Sequence, residues 1–196
     1  MKIIIYAILL AAFLMGCSKK EERTKTTTLQ TESASLPSGR VGYKVPDKWI
    51  KEEPSGQMRV AQFRLPGAEG AGDATCAVFF FPGTGGSVDA NLSRWYQQYK
   101  QPDNSLTHEK AETKKMRVGD LPVTIVFVTG TYLQPKSPMM MGGPVDEMRD
   151  YALLAAVAET ANGPWFFKAT GPEKTLRSYR DDFEEFAKTF HIEKES

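Results

Sequence analysis

The hydrophobic and polar positions of residues 41–192 first of all predict a sheet. Seven segments carry strand-like runs, and three of them are apolar at nearly every position. A strand buried on one face alternates between apolar and polar residues, whereas a strand covered on both faces is continuously apolar. The central strands therefore need cover on both faces. The predicted strands are 41–45, 58–65, 74–81, 110–118, 121–133, 149–160 and 164–170.

Turn signals between these segments indicate that the strands pair antiparallel. Asn162-Gly163 separates the last two runs, and this dipeptide is a strong hairpin signal because its turn requires positive φ angles. Gly119-Asp120 marks a second turn, between the polar run 110–118 and the apolar run after it. The polar run suits an edge strand.

Two segments show the three- or four-residue spacing of amphipathic helices. The first runs from Ser87 to Lys100 and has Ser87 as a possible N-cap. The second runs over 172–190, where Thr170 and Glu173 have capping-box spacing. The sequence thus predicts an α+β fold: a mostly antiparallel, six- to seven-stranded sheet with a helix on each face. The apolar stripes are Val88, Leu92, Trp95, Tyr96 and Tyr99 in the first helix, and Leu176, Tyr179, Phe183, Phe186 and Phe190 in the second.

The N-terminus carries an export signal. Ile3 to Met15 is a run of thirteen apolar residues, shorter than the roughly twenty that span a bilayer. The run ends in Leu14-Met15-Gly16-Cys17, which resembles the lipobox of bacterial lipoproteins. That resemblance implies removal of residues 1–16 and acylation of Cys17, with several acyl chains holding the protein on a membrane. Ser18 after the cysteine favours the outer membrane, facing the periplasm.

The segment after Cys17 predicts a tether. Residues 24–38 contain eight Ser or Thr among fifteen, too little apolar surface to offset chain entropy. We expect a lipidated cysteine and flexible tether over 17–40 and a single domain over 41–192. The chain has 25 Lys+Arg and 24 Asp+Glu, and this balance argues against nucleic acid as a partner. Two cysteines cannot form a disulfide scaffold.

The order of elements resembles the PsbP/DcrB-like family. The resemblance rests on the turn Pro46 to Trp49, the helix with Trp95, the hairpin strand beginning Trp165-Phe166-Phe167, and the helix ending in residues 186–190. It implies the sheet-and-helix sandwich and a binding or assembly role, since members of this group are mostly not enzymes. It transfers no catalytic residue.

A glycine-rich turn is one candidate site. Gly83, Thr84, Gly85, Gly86 and Ser87 join a buried strand to a helix N-terminus, where backbone N–H groups can hold an anion. The spacing of a P-loop is absent, and no Lys follows. A tight turn that needs glycines for positive φ is the competing interpretation.

A methionine-rich loop is the second candidate. Met139, Met140, Met141 and Met148 lie between two predicted strands, among prolines and glycines. Thioethers are soft ligands that suit Cu(I), and methionines also form adaptable contact surfaces. A partner-docking loop, a copper site and a simple mobile loop all remain open. We predict no other cofactor.

The remaining chemistry-bearing residues have structural interpretations. Cys76 is predicted to be a buried, inert thiol, and Trp49, Trp95 and Trp165 to be core residues. His108 and His191 lack the spacing of metal ligands or of a catalytic triad. The carboxylates at 181–182 and 184–185 suit a solvated helix face.

These features favour a membrane-anchored envelope lipoprotein whose single domain binds or assists an envelope protein, without being an enzyme. A small-ligand or copper-binding protein is the alternative, using the methionine loop or the glycine-rich turn. A hydrolase is a third hypothesis, which requires a histidine and an acidic group to meet in a pocket.

Overall fold

A computed structural model describes residues 35–193 except 69, 84 and 137–142. Ten strands and four helices make up these residues. The strands are β1 Val41–Gly42, β2 Ile50–Glu52, β3 Arg59–Leu65, β4 Ala74–Phe80, β5 Tyr99–Lys100, β6 Glu112–Val118, β7 Leu121–Pro135, β8 Val145–Ala158, β9 Trp165–Pro172 and β10 His191–Ile192. The helices are α1 Val88–Tyr96, α2 Thr107–Lys110, α3 Glu173–Ser178 and α4 Arg180–Lys188.

Eight of the strands form one sheet, ordered β2-β3-β4-β9-β8-β7, with β5 and β6 both paired to β7. Every pairing among the described strands is antiparallel. This confirms the predicted α+β class and antiparallel sheet. Six of the seven predicted strands lie in this sheet, whereas the predicted strand 41–45 is reduced to β1 and lies outside it. The sheet also contains β2 and β5, which the sequence does not predict because they have only three and two residues. Runs this short carry no recognisable period.

Each face of the sheet has its own core, because successive side chains of a strand point to opposite faces. On β8, Leu154, Ala156 and Ala158 belong to one core, which α3 and α4 cover. Leu153 and Val157 belong to the other core, which α1 covers. We call these the first face and the second face. The predicted helix on each face is therefore confirmed, and it explains why the central strands are continuously apolar.

Aromatic packing dominates the first face. The ring of Trp49 lies 4.8 Å from that of Phe186 and 5.8 Å from that of Phe183, and Phe167 stacks on Phe190 at 4.4 Å. Aromatic side chains bury large areas, so contacts of this kind dominate core energetics. All three tryptophans are buried, as predicted, with exposed fractions of 5%, 9% and 3% for Trp49, Trp95 and Trp165.

The predicted helices are longer than the observed ones. The first ends at Tyr96, and its predicted last turn instead contains β5. The second is divided at Tyr179, whose φ of −96° and ψ of 0° separate α3 from α4. The predicted capping box is wrong: Thr170 lies within β9, and Pro172 occupies the N-cap of α3 without a side-chain bond. Sheet pairing of residue 170 takes precedence over local capping.

The first described residues run along the edge of the domain. Pro37 accepts a backbone hydrogen bond from Ala161 at 2.9 Å, and Arg40 accepts one from Glu193 at 2.8 Å. β1 then pairs with β10 in a separate two-stranded sheet. Residues 37–40, part of the predicted tether, thus contact the domain. No helix among the described residues has the length and apolar character needed to cross a bilayer.

Candidate functional site

The hairpin of β7 and β8 extends beyond β9, and β5 pairs with its outer part only at Thr131 and Tyr132. β9 ends at Pro172, which lies opposite Tyr151, so residues 145–150 of β8 pair only with β7 in the part of the chain that the structure describes. We call residues 131–135 and 145–150 the hairpin arm. The predicted second strand of this hairpin began at residue 149, and the observed strand begins at Val145. The sheet thus carries a projection built from its two longest strands.

A bulge separates the hairpin arm from the buried part of the sheet. The pairing register shifts between Gly130 and Tyr132, and Asp150 opposite this shift has a φ of +54°. A Cβ on Gly130 would lie 2.9 Å from the carbonyl oxygen of Lys100. Bulges of this kind bend the strand and increase its twist, so the hairpin arm points in a different direction from the rest of the sheet. Glycine at 130 permits that close approach.

Aromatic and aliphatic side chains lie on the hairpin arm and at its base. Tyr132 stacks on Tyr151 with 6.2 Å between ring centroids and packs against Tyr99 at 5.2 Å. Val145 is 41% exposed. Leu133 is partly buried on the face opposite Tyr132. Such surface, next to charged residues of both signs, is typical of protein contact sites.

Ion pairs at the arm keep it polar at its edges. Lys136 lies 2.9 Å from Asp146, and Lys100 lies 3.7 Å from Glu147. All four side chains are about half exposed or more, so these pairs add little to folding stability. Their charges instead discourage nonspecific strand addition at this edge.

A groove with a volume of about 850 Å³ lies between α1, α2 and β6. Tyr96 forms one wall and shares a hydrogen bond with Thr113. Leu106, at the rim, is 60% exposed. On the floor, Thr107 donates its hydroxyl to the carbonyl of Tyr99 at 2.9 Å. This volume lies in the range of small-ligand sites.

The glycine-rich turn lies where the sequence places it, between β4 and α1. The Ser87 hydroxyl accepts from Ala90 at 3.2 Å, which confirms the predicted N-cap. Asn91 donates its amide to the carbonyl of Gly85 at 2.6 Å. Gly83 and Gly86 have φ angles of +66° and +73°, which accounts for glycine there. Thr84 lies outside the described residues, and the anion site stays a prediction.

Of the predicted methionine cluster, the structure describes one member. Met148 is partly buried on β8, opposite Tyr132. Met139, Met140 and Met141 lie outside the described residues, as does Cys17. Copper binding and lipidation therefore both stay predictions.

The other candidate residues are dispersed. Cys76 is fully buried, as predicted, and burial raises the pKa of its thiol. His108 on α2 and His191 on β10 are both exposed. Glu184 and Glu185 pair with Lys188 at 3.5 Å and 2.6 Å, as a solvated helix face would. Among the described residues, no group of three His, Cys, Asp or Glu is placed to hold a metal ion.

Lys168 is a residue of interest that sequence reasoning missed. It lies in β9, on the second face beneath Trp95, and its Nζ is 5.6 Å from that ring. The ammonium donates to Gln98 Oε1 at 2.6 Å. Burial, with the charge of Arg59 as a smaller cause, lowers the pKa of Lys168 to about 8. One feature of the sequence could have identified it, because Lys168 is a charged residue inside the otherwise apolar run 165–170.

Comparison with solved structures gives eleven chains that resemble this one. No protein-family model matches the chain, and no curated protein matches it either. A Pseudomonas aeruginosa protein of unknown function is 11% identical, with a TM-score of 0.46, over 81% of this chain and 100% of that one. The cyanobacterial PsbP protein CyanoP from Synechocystis is 14% identical, with a TM-score of 0.41, over 84% and 96%.

Proposed function

We propose that this protein is a lipid-anchored envelope lipoprotein that binds a protein partner through its hairpin arm. The acylated Cys17 would hold it on the membrane, most simply on the periplasmic side of the outer membrane. The domain would act as an accessory or assembly module and not as an enzyme. The lipobox resemblance and the geometry of the arm support this proposal.

The observation that carries the proposal is where the chain enters the domain. Pro37 and Gly39 are bonded to the turn between β8 and β9, at Ala161 and Asn162. The arm lies at the other end of β8. From Ala158 to Val145, at about 3.3 Å per residue, the strand covers about 40 Å. The chain therefore enters the domain at the end of β8 that is remote from the arm, and this favours the arm as the surface that meets a partner.

The composition of the arm favours a protein as that partner. Tyr132 and Met148 on the arm, and Tyr151 at its base, are only partly buried, and such residue types are enriched in the centres of protein interfaces. Lysine, aspartate and glutamate surround them at the edges. A membrane surface would instead select a basic face.

Photocrosslinking in intact cells tests the proposal. A photoreactive phenylalanine analogue replaces Val145 in the full chain, and the matched control replaces Val60 on β3. The two valines are 41% and 48% exposed, so both positions present the probe to solvent. We expect a discrete heavier adduct from position 145 and none from position 60. No adduct at 145, or equal adducts at both positions, would contradict binding by the arm.

The anchor is tested separately. Cys17→Ser should leave the precursor unprocessed and without acyl label, because the acceptor thiol is gone. Cys76→Ser serves as the control, since that thiol is buried, and it should label normally. Acyl labelling of the Cys17→Ser chain would refute the lipoprotein assignment.

The groove beside α1 favours a second candidate function, the binding of a small ligand. Its volume of about 850 Å³ accepts a molecule of drug size, with Tyr96 as an aromatic wall. Ligand-observed NMR with a fragment library tests this, comparing the wild type with Leu106→Arg at the rim. Fragments that bind only the wild type support the site. Equal binding to both proteins, or none to either, removes it.

A further inference from the structure

Two cationic side chains share the second face of the sheet, on strands that α1 covers only in part. Lys168 on β9 is in register with Ala77 on β4, which is in register with Gln62 on β3. Register partners carry their side chains side by side on one face. Arg59 lies opposite Phe79, beside a register shift between Arg59 and Ala61, and its guanidinium bonds to the side chain of Gln62, which places that group on the same face. Arg59, Phe79 and Lys168 are all partly buried and partly open to solvent.

The two cations have no acidic partner among the described residues. Lys168 donates to the neutral amide oxygen of Gln98 at 2.6 Å, and the guanidinium of Arg59 donates to the amide oxygen of Gln62. Neither forms an ion pair in the part of the chain that the structure describes. Arg59 is close enough to Lys168 to act on it electrostatically, and within the described ranges both cations contact only neutral groups: the amide oxygens and, for Lys168, the Trp95 ring.

The nearby carboxylates are already occupied. Glu52 accepts from Arg64 at 3.0 Å and from the Gln62 amide at 3.1 Å. Asp73 accepts from Arg64 at 2.9 Å and from the backbone of Gly67 at 2.7 Å. Both acids are thus bonded to Arg64, and neither forms an ion pair with Arg59 or Lys168.

We propose that the uncovered part of the second face is a binding site for the oxyanion group of a small ligand, a carboxylate or a phosphate, held between Arg59 and Lys168. A guanidinium fork and an ammonium are the two groups that bind such oxygens best. The site differs from the hairpin arm, and it does not depend on the proposed partner.

The electrostatics of the neighbouring groups agree with this site. Burial, and to a smaller extent Arg59, lowers the pKa of Lys168 to about 8. Burial raises the pKa of Tyr132, and the charge of Arg59 opposes that rise. Arg59 therefore acts on both side chains. An anion bound beside Lys168 would stabilise its charged form and raise its pKa again.

Acylation of Lys168 measures that change. The full chain is labelled with trace acetic anhydride at pH 7, with inorganic phosphate or succinate, and with chloride at the same ionic strength as the reference. Only the neutral amine reacts, and a rise of about one unit in its pKa lowers the labelling of Lys168 roughly tenfold. Lys44, which is exposed, should label equally in all three salts. In Arg59→Gln the protection should be lost.

Thermal unfolding gives an independent readout, should Lys168 resist the reagent. Phosphate or succinate should raise the Tm of the wild type relative to chloride, because a ligand that binds the folded state stabilises it. The paired variant Arg59→Gln/Lys168→Met should show no such rise. Unchanged labelling of a reactive Lys168, or Tm shifts that are equal in the wild type and the paired variant, would overturn the proposal.

Discussion

Gly39 donates its backbone N–H to the side-chain oxygen of Asn162 at 2.7 Å, which links the segment before β1 to the turn between β8 and β9. The backbone of Asn162 makes a second link, because its carbonyl accepts from Gly83 at 2.9 Å. One residue therefore holds together the incoming chain, the last hairpin and the loop that leads to α1. The sequence identifies Asn162 as a turn residue, and the structure adds its role as a junction.

Asn162→Ala should destabilise the domain by about 1 kcal/mol, the net contribution of one such hydrogen bond. Loss of asparagine from the turn should add to this loss of stability, since alanine is disfavoured at turn positions. Urea denaturation gives the free energy of unfolding. Gln57→Ala, at an exposed position, is the control and should leave that free energy unchanged. A loss at Asn162 no larger than at Gln57 would show that the link to Gly39 is not formed.

Gly163→Ala should be far more costly, by about 3 kcal/mol or more. Gly163 has a φ of +129°, which side chains rarely adopt, and a Cβ there would lie 2.4 Å from the carbonyl oxygen of Phe81. Backbone atoms of a packed strand end cannot move aside easily. The strain and the clash therefore act together.

Gly119→Ala separates these two causes. Gly119, in the turn between β6 and β7, has a φ of +58°, but a Cβ there meets nothing within 4 Å. Backbone strain alone should cost about 1 kcal/mol at this position. Urea denaturation of both variants gives the comparison, and equal losses at 119 and 163 would mean that the contact with Phe81 has no effect.

Lys168→Met should change how stability depends on pH. Lys168 has a folded-state pKa of about 8 against an ordinary value of 10.5, because burial and Arg59 disfavour its charged form. Between these values the unfolded chain holds more protons than the folded one, so the unfolding free energy of the wild type rises with pH. Methionine cannot titrate and has a stem of similar length. The difference between wild type and variant should therefore grow in favour of the wild type from pH 8 to pH 10.

Denaturation of both proteins at pH 7, 8.5 and 9.5 provides this measurement. Arg59 is the charged group that acts on Lys168, and Arg59→Gln should bring the pKa of Lys168 closer to its ordinary value. That variant should show a shallower pH dependence. Parallel curves for the wild type and Lys168→Met would indicate an unperturbed lysine.

The central strands could be predicted because burial on both faces makes nearly every residue of such a strand apolar. β4, β7 and β9 all lie within two residues of the predicted bounds, and the two-helix cover follows from the same pattern. The early end of α1 could not be predicted in this way. Tyr99 continues the helical stripe, but its hydroxyl bonds to the carbonyl of Ala152 at 2.9 Å, a contact set by the sheet.

The hairpin arm and the cation pair could not be predicted either, for a related reason. How far the arm projects depends on where β9 ends relative to β8. The sequence of one strand does not indicate how long the strand paired with it is. Arg59 and Lys168 are more than a hundred residues apart, and only the registers of β3, β4 and β9 bring them to one face. The glycine-rich turn, in contrast, is local, so its position and its Ser87 cap could be predicted from spacing.

Trp165→Phe should cost less than about 1 kcal/mol, although Trp165 is buried and packs on Phe80 at 4.7 Å. The indole N–H of Trp165 has no hydrogen-bond partner among the described residues. An unsatisfied buried donor costs about 1–3 kcal/mol, and phenylalanine removes it while keeping an aromatic ring against Phe80. The gain offsets most of the lost packing. Trp165→Leu removes the same N–H but also the ring stack, and it should be clearly less stable than Trp165→Phe in urea denaturation. A loss of about 3 kcal/mol or more for Trp165→Phe, the usual range for truncating a buried aromatic side chain, would mean that the indole N–H is satisfied by ordered water.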